Sequence, residues 1–352
     1  MMSPKSGIVA FAALFASSVL ACSSTTVSKG GSSETSDASS SSNADGGSAP
    51  LSATTRIYAT VVSHNEQDSN AACKQGPNHD AAKFAANRVL LKKVIDGVVQ
   101  RGAAYDFQND FAYLRAIDQY ETETQRSETG GKSIIGYAAT VSPEHVAVDV
   151  HHHLGGLGND ENWADVAAHL NALGAPDNGV VGGFISSPEA NAEIDLMRGY
   201  AQSGVVSLKT WNGSSKTWYP KILWGGGTAG HTADAEASGV WRPKSNAAFY
   251  TDDASSNLPN VANFRGNVDY SGLAELVSMY KAGQLETGKM YTVTLMLNQC
   301  ELSEASVSAV LAEIDKYKTE TAAGWLAWKT LPGIVSDWEN VYGRAPQIHF
   351  AE

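Results

Sequence analysis

Two periodicities alternate along this chain, and their alternation is the feature that most limits its fold. Runs of apolar and β-branched residues typical of buried strands occupy residues 56–63 and 290–297. Stretches with the spacing of an amphipathic helix occupy residues 79–101 and 271–283. Strands that alternate with helices favour βαβ units, in which helices cover the faces of a largely parallel sheet. The sequence therefore predicts an α/β fold.

Further elements continue the same alternation. The pattern predicts strands at residues 103–107, 145–150 and 179–185, helices at 110–120, 133–139 and 159–174, and two closing helices at about 302–320 and 323–342. Residues 186–270 are irregular and rich in glycine and tryptophan, so we expect short strands and long loops there. The predicted architecture is a single β/α barrel, incomplete or distorted, with this long irregular insert and C-terminal helices. An open doubly wound sheet is the alternative.

The N-terminus has the features of an export signal. Lys5 precedes an apolar run at residues 7–20 that is too short to cross a bilayer as a mature helix. The run ends in Val-Leu-Ala-Cys, which resembles the signal of bacterial lipoproteins and implies cleavage before Cys22 and lipid attachment to that cysteine. Serines at positions 23 and 24 favour the outer membrane by analogy with enteric lipoproteins. The alternative is an ordinary secretory signal followed by a chance cysteine.

Three segments follow from this interpretation: a signal peptide at residues 1–21, a flexible tether at 22–54 and one folded domain at 55–352. The tether contains mainly Ser, Gly, Thr, Ala and Asp and no aromatic residue, so it cannot bury enough apolar surface to become ordered. We expect the domain to lie outside the cytoplasm, in the bacterial cell envelope. A formal net charge of −12 argues against basic patches that bind nucleic acid or anionic lipids. We therefore expect no nucleic-acid partner, and contact with the membrane only through the lipid attached to Cys22.

The two remaining cysteines are a predicted disulfide. Cys73 follows the first predicted strand, and Cys300 follows the strand at residues 290–297. Closure of a barrel makes these two strands neighbours, and an oxidising compartment lets the bond persist.

Polar residues with ligand or acid–base chemistry follow the predicted strands. They are His64 and Glu66 after the first strand, Asp110 after the second, and Asp149, His151 and His153 at the end of the third. Active sites of β/α barrels lie at the carboxyl ends of the strands. We therefore expect these side chains to meet at one end of the sheet.

Strand geometry divides these residues by the direction in which they point. Side chains two apart on a strand share a face, so Glu66 points with His64. His151 and His153 point together by the same rule, and His152 points the other way. Imidazoles and a carboxylate suit Zn²⁺ or a similar divalent ion with an open position for water. The alternative is a solvated turn beside a core histidine.

The segment EHVAVDVHHH at residues 144–153 resembles the histidine motif of polysaccharide deacetylases, which belong to a barrel superfamily that also includes glycoside hydrolases. VVSHNE at 61–66 stands where that family has its first strand, and GVVGGFI at 179–185 where it has an arginine-bearing turn. YTVTLMLNQC at 291–300 stands where a strand ends in a catalytic histidine. The resemblance implies a metal-dependent hydrolase of carbohydrates, with deacetylation ahead of glycoside cleavage.

The chain also departs from that family. His64 and Glu66 replace two adjacent aspartates, and Asn298 replaces the catalytic histidine. His151 and His153 are two residues apart, whereas the family spaces its histidines by four. Two functions therefore stay open: a hydrolase with altered chemistry, or a non-catalytic carbohydrate-binding or structural surface lipoprotein on a degenerate barrel.

Candidate roles follow from the hydrolase hypothesis. A bound metal lowers the pKa of a water and polarises an acyl or acetal oxygen. Asp110 or Asp149 is the candidate general base, and His231 is a second acid–base group because histidine titrates near neutral pH. Arg242 is a candidate for orienting a carboxylate or stabilising an oxyanion. A loop histidine and a surface arginine are the alternatives for His231 and Arg242.

Tryptophans crowd the irregular segment. Aromatic residues lie here among glycines and polar residues, a setting in which flat rings stack on sugars: Trp211, Trp218, Tyr219, Trp224 and Trp241. The candidate substrate-binding residues among them are Trp218, Trp224 and Trp241. The alternative is that they fill a core under long loops. A polysaccharide or other glycan is accordingly the expected substrate.

Overall fold

The structure is a computed structural model that describes residues 54–65, 80–152, 161–183, 193–211, 213–225, 235–265, 270–298 and 302–350. Several predicted residues lie outside these ranges: Cys22, Glu66, Cys73, His153, His231 and Cys300. The predicted signal peptide and almost all of the tether are outside them as well. In the described ranges no helix combines the length and apolar character needed to cross a membrane.

Thirteen strands and ten helices occupy the described part of the chain. The strands are β1 (Arg56–Asn65), β2 (Tyr105–Asn109), β3 (Val146–His151), β4 (Val180–Gly182), β5 (Val205–Val206), β6 (Thr217–Trp218), β7 (Ile222–Trp224), β8 (Ala237–Ser238), β9 (Val240–Trp241), β10 (Asn260–Val261), β11 (Met290–Asn298), β12 (Leu326–Trp328) and β13 (His349–Phe350). The helices are α1 (Ala81–Gln100), α2 (Phe111–Tyr120), α3 (Glu123–Ser127), α4 (Ile134–Val141), α5 (Trp163–Ala172), α6 (Glu193–Ser203), α7 (Ser271–Lys281), α8 (Glu304–Lys316), α9 (Lys318–Ala322) and α10 (Leu331–Asn340).

Nine strands form the central sheet in the order β11-β1-β2-β3-β4-β7-β10-β9, and β12 pairs with the first half of β1. The described pairs in this sheet are parallel, except that β9 runs antiparallel to β10. The predicted α/β class with a largely parallel sheet is therefore confirmed.

Both faces of the sheet are buried, as expected for parallel strands covered by helices. On β1, Ile57, Ala59 and Val61 face the core beneath the helices, whereas Tyr58 and Val62 face the other side. That second side is the inner core. Its buried members are Tyr58, Val62, Val180, Ile222, Trp224, Val240, Val261, Met290, Met296, Leu331, Ile334, Val335, Trp338 and Tyr342.

Helix α10 supplies much of the inner core and packs against β7 and β10. Thr330 caps its first turn by accepting from the Gly333 N–H, and Pro332 stands in that first turn, where no N–H is needed. Trp338 is fully buried, and its indole N–H donates to the Ala345 carbonyl at 2.7 Å. The helix therefore fills the inner side of the sheet with apolar surface.

The two ends of the strand order are joined by side chains. The Thr292 hydroxyl of β11 donates to the Ala262 carbonyl at 2.6 Å and accepts from the Gly239 N–H at 2.8 Å. The Ser238 hydroxyl accepts from the Thr292 N–H at 2.7 Å. No backbone ladder joins β11 to β9 or β10 among the described residues, so a closed barrel is not observed there.

Three predicted elements differ from the structure. Residues 323–342, predicted as one helix, contain β12 and α10, because Gly324 at φ 81° interrupts the helix and Leu326–Trp328 pair with β1. The helix predicted at 302–320 is divided into α8 and α9. Helix α6 lies in the segment that was expected to contain only strands and loops.

Replacing Thr292 by valine is expected to weaken the hydrogen bonds that join β11 to Gly239 and Ala262. The change keeps the shape of the side chain but leaves the buried Gly239 N–H without its acceptor. The free energy of unfolding should fall by about 1–3 kcal/mol, measured by urea denaturation. Thr294→Val is the matched control, because the Thr294 hydroxyl is buried and has no hydrogen-bond partner among the described residues. An equal loss in both variants would contradict this expectation.

Candidate active site

Two histidines from different strands meet inside the carboxyl end of the sheet. The imidazoles of His64 on β1 and His151 on β3 have ring centroids 4.3 Å apart and a tilt of 52°. His64 is 5% exposed and His151 is 0% exposed. The parallel pairing of β1, β2 and β3 brings them together, since β2 is level with both strands at this height.

Trp224 completes an aromatic group with the two imidazoles. Its ring meets the His64 ring edge to face at a centroid distance of 5.2 Å. In the sheet, Trp224 is level with Gly182, which in turn is level with His151. The indole is fully buried, and its N–H has no acceptor among the described residues. Of the three tryptophans predicted to bind sugar, the structure brings only Trp224 to the histidines.

The side-chain amide of Gln108 lies in the same layer. Gln108 is level with His64 on one side and with Asp149 on the other. Its amide reaches β4, where a Cβ on Gly182 would stand 2.2 Å from its Oε1. The amide is buried, and neither its oxygen nor its nitrogen has a hydrogen-bond partner among the described residues. A water or a substrate hydroxyl is the kind of group that would satisfy it.

Two glycines leave room for these side chains. A Cβ on Gly183 would stand 2.5 Å from the His151 Nε2, and Gly183 also has φ 76°, which disfavours other residues. Gly182 leaves room for the Gln108 amide because it has no Cβ. The Gly-Gly pair at the end of β4 is thus required by the imidazole and the amide that pack on it.

A pair of carboxyl groups is buried in the same strands, with Asp149 level with Gln108 and Asp106 two residues before Gln108 on β2. Asp106 accepts from the Thr60 hydroxyl at 2.6 Å and from the Leu331 N–H at 3.0 and 3.2 Å. Asp149 accepts from the Asn178 amide at 3.2 Å. Burial raises the pKa of Asp106 to about 7. Burial, followed by the charge of Asp106, raises the pKa of Asp149 well above its usual range.

Asp110 and His152 lie outside this layer. Asp110 caps helix α2, where its carboxylate accepts from the Tyr113 N–H at 2.7 Å. The His152 ring packs edge to face on Trp163 of α5, at a centroid distance of 4.8 Å. The structure shows Asp110 at a helix end, and its role as general base stays a prediction.

Arg242, Trp218 and Trp241 are buried and hydrogen-bonded in the structure, and the substrate-facing roles predicted for them stay predictions. The Arg242 guanidinium binds both oxygens of Asp252, at 3.0 and 2.6 Å, and is nearly buried. The Trp241 N–H donates to the Phe249 carbonyl on the outer side of the sheet. The Trp218 N–H donates to Asp177, and both indoles are buried.

The donors present suit a divalent ion in kind but do not complete a site. His64 and His151 offer two buried imidazoles, and Asp149 offers a carboxyl two residues before His151. Within the described ranges no three histidine, cysteine or acidic side chains converge on one point. The other two predicted ligands, Glu66 and His153, lie outside those ranges. The ligand set therefore stays a prediction.

Asp106, Gln108 and Asn178 are residues of this site that the sequence analysis did not select. Asp110 is the candidate base from the polar run at residues 106–110, and it lies beyond the end of the strand. The available signal was the alternation of two polar residues, Asp106 and Gln108, within a strand that is buried on both faces. Asn178 lies in a loop, where no periodicity indicates the direction of its side chain.

No family model and no curated protein matches the chain. Among solved structures, the chain is similar to a 4-alpha-glucanotransferase from Thermococcus litoralis, with a TM-score of 0.41 and 7% sequence identity. The match covers 84% of this chain and 40% of that one, so this chain spans less than half of the length of that structure. A likeness at this level carries no weight for the function, and the resemblance to polysaccharide deacetylases stays a prediction from the sequence motif.

The buried carboxyl pair predicts a stability that falls as pH rises. Asp106 keeps its proton to about pH 7 in the folded protein but loses it near pH 4 when unfolded. Between these two pH values the folded state binds more protons than the unfolded state. The free energy of unfolding therefore falls as pH rises, by up to about 1.4 kcal/mol per pH unit for each proton that only the folded state retains. Asp106→Asn removes this titration and the charge that raises the pKa of Asp149.

Urea denaturation at pH 5 and pH 8 tests this expectation. The loss of stability between the two values should be smaller in Asp106→Asn than in the unmodified protein. Asp337→Asn, on helix α10, is the control and should keep the full pH dependence. An unchanged pH dependence in Asp106→Asn would show that Asp106 does not titrate in this window.

Proposed function

We propose that the protein is a metal-dependent hydrolase of carbohydrates. The observation that carries this proposal is the meeting of His64 and His151, two buried imidazoles from different strands whose ring centroids are 4.3 Å apart. Neutral imidazole is the commonest metal ligand in proteins, and histidines of two strands at one end of a sheet are suited to hold a single ion.

In this proposal Zn²⁺ or a similar divalent ion is held by His64 and His151, with Glu66 and His153 as further ligands. The ion supplies an activated water and polarises the substrate oxygen. The protein supplies the remaining chemistry. Asp149, two residues before His151 on β3, is the proposed acid–base group.

Gln108 and Trp224 have separate roles in the proposal. The Gln108 amide has a donor and an acceptor without protein partners among the described residues, so it can orient a substrate hydroxyl or acetamido group. Trp224 covers the His64 ring and keeps the site dry, which strengthens electrostatic interactions there. Deacetylation is the proposed reaction because the segment at residues 144–153 resembles the deacetylase histidine motif.

The proposed scaffold is a distorted β/α barrel. Its strand order starts at β11 and ends at β9, and the hydroxyls of Thr292 and Ser238 form hydrogen bonds between these two regions. In this arrangement the carboxyl ends of β1, β3 and β7 surround the histidines, as active sites do in β/α barrels.

The proposed location is the bacterial cell envelope, with the outer membrane favoured. A lipid on Cys22 would hold the domain at the membrane, and residues 23–54 would keep it at a distance from the lipid headgroups. A disulfide between Cys73 and Cys300 is part of the same proposal, since it requires an oxidising compartment.

The metal site predicts a bound ion that depends on both imidazoles. Purified protein should contain about one Zn²⁺ or similar ion per chain by elemental analysis, and the His64→Ala/His151→Ala protein should contain almost none. His145→Ala is the matched control, because His145 precedes the opposite end of β3. Equal metal content in all three proteins, or none in the unmodified protein, would rule out the site.

The proposed reaction is tested by measuring acetate and new reducing ends in the same samples of acetylated chitohexaose and acetylated xylohexaose. Acetate without reducing ends is the expected result. Asp149→Asn should lower kcat by about 100-fold or more, because a positioned acid–base group contributes at least that much. Asp337→Asn, on helix α10, should leave kcat unchanged. Reducing ends without acetate would indicate a glycosidase, and neither product would favour the non-catalytic binding alternative.

A further inference from the structure

A cleft on the outer side of α5 is separate from the interior histidines. It has a volume of about 240 Å³ and lies between the last turn of α5 on one side and Trp211 and residues 214–216 on the other. Trp211, Asn171, Ala172, Ser215 and Lys216 are among the residues that line it. Aromatic, amide, hydroxyl and ammonium groups therefore share one small concave surface.

Trp211 is held in place by its neighbours. Its ring lies over the His169 ring at a centroid distance of 4.3 Å and a tilt of 30°, and it meets Phe111 edge to face at 5.8 Å. The backbones of Trp211 and Ser214 exchange two hydrogen bonds, of 2.8 and 3.1 Å. One face of the indole is thus covered, and the half-buried ring lines the cleft with surface that its neighbours leave open.

His169 forms a rigid base for this indole. Its Nε2 shares a hydrogen bond of 2.7 Å with Asp118, and its ring also meets Phe111 edge to face at 5.5 Å. The indole of Trp211 therefore has a fixed position before any ligand arrives, so binding on its open surface requires little ordering.

The polar groups of the cleft carry little net charge. Lys216 lies 3.6 Å from the Asp177 carboxylate, so its ammonium is partly neutralised. Asn171 donates to the Ala167 carbonyl of its own helix at 2.7 Å and has an exposed side chain. Ser215 is exposed and offers a hydroxyl. Such a lining favours a neutral, hydroxyl-rich ligand over a phosphate or another anion.

We propose that this cleft is a second carbohydrate-binding site that takes one pyranose ring of a neutral glycan. The apolar face of the sugar stacks on Trp211, and its hydroxyls form hydrogen bonds with Asn171, Ser215 and Lys216. The site rests on these residues and not on the metal chemistry proposed for the interior, so either proposal can fail without the other. Its effect is to hold a polymer on the outer surface of the domain.

Ligand-observed NMR titration of the full chain with cellohexaose and N-acetylchitohexaose tests this site. Trp211→Ala should weaken binding of at least one of the two by about tenfold, the loss expected when a stacking ring is removed. Ala172→Arg places a long side chain at the exposed end of α5 and should weaken binding equally. Trp325→Ala, which removes a half-buried indole stacked on Tyr280, is the matched control and should bind normally.

The outcomes separate this cleft from the interior site. His64→Ala/His151→Ala should retain binding, because those imidazoles lie inside the sheet. Loss of binding in that variant together with normal binding by Trp211→Ala would overturn the proposal. Absence of binding of both oligosaccharides by the unmodified protein would overturn it too. If circular dichroism shows that Trp211→Ala is unfolded, Ala172→Arg decides, and undiminished binding by that variant overturns the proposal.

Discussion

The parallel register of β1, β2 and β3 is the constraint on which the candidate site depends. It places His64 level with Gln108, and Gln108 level with Asp149. All three strands are buried, so water cannot replace the ladder hydrogen bonds, and a slip by one residue would move every side chain to the opposite face. The same register that buries the apolar side chains of these strands therefore brings His151 to His64.

Polar groups inside the sheet cost free energy unless they are hydrogen-bonded. The carboxyl of Asp106 receives hydrogen bonds from Thr60 and from the first N–H of α10, at Leu331. Helix α10 thus has two functions in the fold, because it fills the inner core and also stabilises a buried acidic group. The side-chain amide of Gln108 has no such partner among the described residues, and Gln108 is level with His64 in the sheet. The Asp106 carboxyl therefore has hydrogen-bond partners, whereas the Gln108 amide at the candidate site has none among the described residues.

The aromatic residues of the irregular segment divide by the face of the sheet on which they lie. Trp224 ends β7 on the inner side and reaches His64, whereas Trp241 on β9 faces outward and packs on Phe249. Trp211 lies outside the sheet altogether and lines a cleft beside α5. Similar residues in one segment therefore contribute to an interior site, to packing and to a surface cleft.

The sequence by itself determined the α/β class, the order of most strands and helices, and the pairing of His64 with His151, because these follow from periodicity and strand alternation. Only the tertiary structure decided which polar residues share the interior. Asp106 and Gln108 enter it through the register with β1 and β3, while Asp110, one residue past β2, caps a helix. Such choices depend on contacts between residues far apart in the chain, which local patterns do not encode.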